Sequence, residues 1–76
     1  MNKQRRARLD KLTNKLEDIK DEVQQVLDEE QEAFGNLTEA LQQNSNGQRM
    51  EECIQEMEQV ISSIDDAVSA IGNIVA

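Results

Sequence analysis

From Met50 onward the apolar side chains recur at a helical period, and there are too many of them for one partner helix to cover. They fall at Met50, Cys53, Ile54, Met57, Val60, Ile61, Ile64, Ala67, Val68, Ile71, Ile74 and Val75. In heptads with Met50 at a, positions a, d and e are apolar throughout. That stripe is wider than the a/d seam of a two-stranded coiled coil. A chain of 76 residues offers one other long helix to cover it. The pattern therefore predicts an all-α fold: an antiparallel helical hairpin with a short helical connection. It further predicts assembly into a homo-oligomer, a dimer that makes a four-helix bundle.

Composition closes the other routes to stability in so small a domain. One cysteine and no histidine leave neither an internal disulfide nor a zinc staple. Association is the route that remains. No metal and no cofactor are expected. Cys53 sits at a d position and reads as a small buried hydrophobe rather than a reactive thiol. No apolar run approaches the roughly 20 residues of a membrane helix. The basic N-terminal stretch has no apolar segment behind it of the kind a signal peptide needs. The expected location is the cytoplasm, with no membrane partner.

The formal net charge is −8, and it is polarised along the chain. Residues 1–16 hold Lys3, Arg5, Arg6, Arg8, Lys11 and Lys15 against Asp10 alone. Residues 17–58 hold thirteen carboxylates against Lys20 and Arg49. An acidic body repels phosphates, so direct nucleic-acid binding is not expected. The basic segment stands apart. It lies at the N-terminus of its helix, where the dipole disfavours it, and it has the charge to hold a phosphate.

The first long helix is read from Leu9, Leu12, Leu16, Ile19, Val23 and Val26, an alternating three-and-four spacing that marks an a/d seam. Leu27 and Phe34 widen it at e, and Glu30 weakens it at a. One domain spans 1–76, with helices at about 4–33 and about 48–75 and a connection at about 34–47. Gly35 is placed as a left-handed residue ending the first helix. Asn36-x-x-Glu39 and Ser45-x-x-Gln48 read as capping boxes. A short helix at about 37–43 carries Leu37, Ala40 and Leu41. The competing reading runs the first helix on to about 43, because the a/d register continues through Leu37 and Ala40.

The chemical inventory is thin. Without histidine, neither Cys53 nor any serine has a credible base, and the Glu-x-x-His pairs of a di-iron site are missing. Glu29-x-x-Glu32, with Glu51, Glu52 and Glu56, invites comparison with the magnesium site of all-α nucleotide pyrophosphatases. That site needs E-x-x-E followed by E-x-x-D, and no E-x-x-D occurs here. The glutamates lie on polar heptad positions and read as a solvated acidic face. The chain is expected not to be an enzyme, with no catalytic residues.

The connection holds Phe34, the one aromatic residue, among many hydrogen-bonding side chains. It ends at a helix N-terminus, where free amides favour anions. In an antiparallel four-helix dimer the basic N-terminus of one chain lies near the connection of the other. The expected ligand site is therefore Phe34, Asn36, Gln42, Ser45, Gln48 and Arg49, with Arg5, Arg6 and Arg8 from a neighbouring chain. Phe34 would stack on a base, the arginines would neutralise phosphate, and the amides and hydroxyl would hold polar edges. The plainer reading is that Phe34, Leu37 and Leu41 plug the end of the bundle.

The segment Glu30-Gln31-Glu32-Ala33-Phe34-Gly35-Asn36-Leu37-Thr38-Glu39-Ala40-Leu41-Gln42, followed by Ser45 and Gly47, gives the pattern E-x-x-x-F-x-N-L-x-E-x-L-Q. In this pattern, and in the acidic amphipathic helix after it, the chain resembles small acidic two-helix proteins encoded by phages and mobile elements of Gram-positive bacteria. Where such sequences carry proline, this chain has Thr38. The resemblance implies a counter-defence setting. It makes the first expectation a sponge that sequesters a nucleotide-derived immune signal. The second is an acidic DNA mimic that binds and inhibits a host defence protein. The third is a structural or assembly bundle without a ligand.

Overall fold

Each helix starts where a short polar side chain can take up the free amides of the first turn. The computed structural model describes all 76 residues as α1 (Lys3–Gly35), α2 (Glu39–Gln42) and α3 (Ser45–Val75), with no strand. Asn2 caps α1, its side-chain oxygen accepting from Arg5 N at 2.8 Å. Thr38 caps α2, accepting from Leu41 N at 3.4 Å. Asn44 caps α3, accepting from Gly47 N at 2.9 Å.

Both capping boxes read from the sequence are thus displaced. Asn36 ends α1 instead of starting α2, and Ser45 is already inside α3 because Asn44, extended at φ −77° and ψ 177°, caps one residue earlier. Gly35 is not left-handed, and no residue of the chain has positive φ. α1 closes through Asn36 N donating to Glu32 O at 3.0 Å and Leu37 N donating to Phe34 O at 3.1 Å. The last turn thus pairs the Glu32 and Phe34 carbonyls, the second through a tighter three-residue step, without a left-handed residue. The chain leaves the helix at Asn36–Thr38, so α1 does not run on to 43.

α1 and α3 pack as an antiparallel hairpin 58 Å long and 13–15 Å across. The heptad rows that face each other are a and e, not a and d. On α1 the covered residues include Leu9, Leu16, Val23, Leu27 and Phe34, with Thr13, Lys20 and Glu30 in the same rows. On α3 they are Met50, Ile54, Met57, Ile61, Ile64, Val68, Ile71 and Val75, and the small Cys53 and Ala67 of the d row are half-buried as well. The d residues Leu12, Ile19, Val26, Val60 and Ile74, counted on as seam, stay 45–52% exposed. On α3 side-chain bulk favours the rotation. Its e row is Ile54, Ile61, Val68 and Val75, whereas its d row includes Cys53 and Ala67, and apolar burial contributes about 25 cal/mol per Å². On α1 bulk does not decide it, because the e row holds Thr13 and Lys20 and the d row Leu12, Ile19 and Val26.

Lys20 tolerates its inward position because its stem packs while its ammonium reaches out. It lies 2.9 Å from Asp65 and 3.2 Å from Glu17, and the Asp65 contact is the one ion pair between the long helices. The hydrogen bond to Asp65, then that to Glu17, raises the Lys20 pKa above its ordinary 10.5. A raised lysine pKa stabilises the fold below the unfolded value, and the effect is lost as pH rises through the folded one. The melting-temperature advantage of the native chain over Lys20→Met should hold up to about pH 10.5 and shrink above it. An advantage unchanged at higher pH would mean that the ammonium is not what matters.

The connection is locked by Gln42, whose Nε2 donates to Phe34 O at 3.0 Å and Leu37 O at 3.3 Å. Gly47 is buried where α2 meets the first turn of α3. A Cβ there would overlap the carbonyl oxygens of Leu41 and Gln42 and lie 2.6 Å from the Gln42 carbonyl carbon. Glycine to alanine within a helix ordinarily stabilises by about 0.5–1 kcal/mol. At this position Gly47→Ala should instead destabilise by about 1–3 kcal/mol through backbone displacement. Thermal melting checks the sign, and a raised melting temperature would show that α2 is not docked.

Candidate interaction face

Two surfaces of the hairpin are candidates for function, and they lie on opposite sides. The first surrounds Phe34. Its ring is half-buried and bounds an open groove with Gln31, Glu51, Ile54, Gln55 and Glu58. These residues occupy the b and e rows, with Gln55 at f. Two carboxylates on the rim make the groove unfavourable for an anion.

The other residues of the sequence-derived ligand site are dispersed. Asn36 is the exposed cap at the end of α1, and Ser45 is exposed in the first turn of α3. Gln42 has its amide committed to backbone carbonyls, and Gln48 Nε2 donates to Gln43 O at 3.2 Å. Arg49 lies 3.2 Å from Glu52 and 3.9 Å from Glu56. The hydrogen bond to Glu52, above all, raises its pKa above the ordinary arginine value. Its charge is thus already answered by two carboxylates. Arg5, Arg6 and Arg8 lie at the other end of the rod, most of its 58 Å length away. A single chain brings Phe34 and Arg49 to the same end but does not bring the arginines to them.

The second surface is the d side. Ile19, Glu22, Val23 and Val26 of α1 line an apolar groove together with Met57 and Val60 of α3. Toward the chain termini, Met1, Arg5, Arg8, Leu9 and Leu12 bound another cleft on the same side. Apolar residues from both long helices therefore share one face. Cys53, on the d row of that face, is a half-buried free thiol. No group of three cysteine or carboxylate side chains is gathered so as to hold a metal ion, and no helix is long and apolar enough to cross a membrane.

The accessible surface is large for the molecule. The chain exposes 5694 Å², whereas a compact monomer of its 8.6 kDa mass exposes about 4,700 Å². Only Leu27, Gly47 and Ile54 are buried. The radius of gyration is 17.2 Å, against about 11 Å for a globular domain of this length. The sequence pattern shows the apolar rows without assigning which of them the hairpin covers. On α3 a signal lay in the small size of Cys53 and Ala67 on the d row.

No protein-family model, no curated protein and no solved structure matches the chain.

Proposed function

We propose that this chain is a non-enzymatic helical assembly protein that acts as a homo-oligomeric bundle. The observation that carries this reading is the row of half-exposed aliphatic residues shared by both helices on one face. A contiguous apolar patch of this extent marks an interaction site in a protein that otherwise keeps charge on its surface. Association also supplies the buried area that the hairpin lacks. Sedimentation equilibrium at micromolar concentration tests it. The expected result is a mass at least twice 8.6 kDa with a melting temperature that rises with concentration. A folded monomer with a concentration-independent melt would refute it.

The assembly reading is favoured over nucleotide sequestration by the groove at Phe34. Its rim is acidic, and Arg49 is held by Glu52 and Glu56. A thermal-shift screen with cyclic dinucleotides and ADP-ribose derivatives should leave the melting temperature unchanged. A stabilisation lost in Phe34→Ala would restore the sponge, since base–aromatic stacking contributes about 1–3 kcal/mol.

A further inference from the structure

We infer that the apolar face seats a second copy of this chain laid end over end, with α1 antiparallel to the partner's α1 and Ile19 on the two-fold axis. This rests on the assembly reading above and adds the occupant, the direction and the register. The face runs along a rod 58 Å long, and a standard stable interface takes about 800 Å² from each partner.

Charge selects the direction. The g row of α1 borders the face: Arg8 flanks its cleft near the termini and Glu22 flanks its central groove. The row reads Arg8, Lys15, Glu22, Glu29, two cations followed by two anions at heptad spacing. Antiparallel helices pair g with g. With Ile19 against the partner's Ile19, Lys15 meets the partner's Glu22 and Arg8 meets the partner's Glu29. Symmetry repeats both pairs, so four opposite-charge contacts flank the core.

The apolar rows fit the same register. Leu12 falls opposite the partner's Val26. On α3, Val60 falls opposite the partner's Ala67 and Cys53 opposite the partner's Ile74, a large side chain against a small one each time. One two-fold axis can serve both helices only if their pairing centres are level along the rod. They are: Lys20, beside Ile19, is 2.9 Å from Asp65, which lies within two residues of the α3 centre. The alternative, with both connections at one end, lays α1 over the partner's α3. Lys15 then faces the partner's Ala70, and Glu29 faces the partner's Glu56, a like-charge contact.

Spin labels report the direction. In a Cys53→Ala background, Asn36→Cys carries the label 17 residues from the axis. At 1.5 Å per residue, two labels in the end-over-end dimer should be about 50 Å apart. A dimer with labels within about 20 Å overturns the inference, while a folded monomer by sedimentation overturns the assembly reading beneath it. Charge exchange reports the register. Lys15→Glu and Glu22→Lys should each raise the dimer Kd about tenfold, and the double variant should return to within about threefold of the native value. A double variant no tighter than the singles overturns the pairing.

Discussion

Aspartate in place of Ile19 is expected to abolish association and, with it, most of the helical structure. Ile19 is 47% exposed in the hairpin, so in a solitary chain the substitution would change stability by under about 0.5 kcal/mol. In the dimer both copies would place a carboxylate at the two-fold axis, against aliphatic neighbours and against each other. An unpaired buried charge costs about 3–5 kcal/mol, which corresponds to a Kd raised at least about a hundredfold. The released hairpin has three buried residues to hold it, and folding and association should be lost together. Sedimentation velocity and circular dichroism, run on the same samples, read both. Native-like mass and helicity in the variant would remove the apolar face from any account of how this protein works.

Leu27→Ala should act by a different route, although its neighbour Val26 belongs to the open face. Leu27 is 4% exposed, the most buried side chain in the molecule, and Val26 is 52% exposed. Removing a buried leucine costs about 2–5 kcal/mol, the transfer term plus the cavity left behind. For a domain this small, each kcal/mol is worth about 4–8 °C, so the melting temperature should fall by at least about 8 °C. The loss should appear at every protein concentration, because the contact lies within the chain. Val26→Ala should weaken association and leave the intrinsic stability of a diluted chain almost unchanged. Equal effects from the two substitutions at all concentrations would mean that the division between inner and outer rows is wrong.

The connection shows what residue type alone leaves out. Phe34, Gln42, Gln48 and Arg49 look like ligand-binding groups in a list of residues. In the fold, Gln42 and Gln48 satisfy carbonyls left free at the turns, and Arg49 answers the carboxylates one turn and two turns ahead on its own helix. Short-range geometry consumed them. Such contacts are implicit in the spacing of Arg49, Glu52 and Glu56. Those of Gln42 depend on a path through Asn36–Thr38 that no periodicity encodes. Gly47 belongs with them: it reads as turn chemistry, yet its φ is not positive. What excludes a side chain there is the close approach of the Leu41 and Gln42 carbonyls.

The sequence by itself determined the two long helices, the turn between them and the apolar rows, because helix period and turn chemistry are local properties of the chain. It also determined the polarity of charge, basic over residues 1–16 and acidic beyond, which is independent of any fold. Only the tertiary structure decided which rows meet. Rows a, d and e span more of the helix surface than one neighbour can cover, so pattern alone leaves the rotation of each helix free. Packing removed that freedom: Ile54, Ile61, Val68 and Val75 turn inward toward α1, and Leu12, Ile19, Val26, Val60 and Ile74 of the d rows are left outside. That rotation, a matter of packing between elements distant in sequence, made the open face.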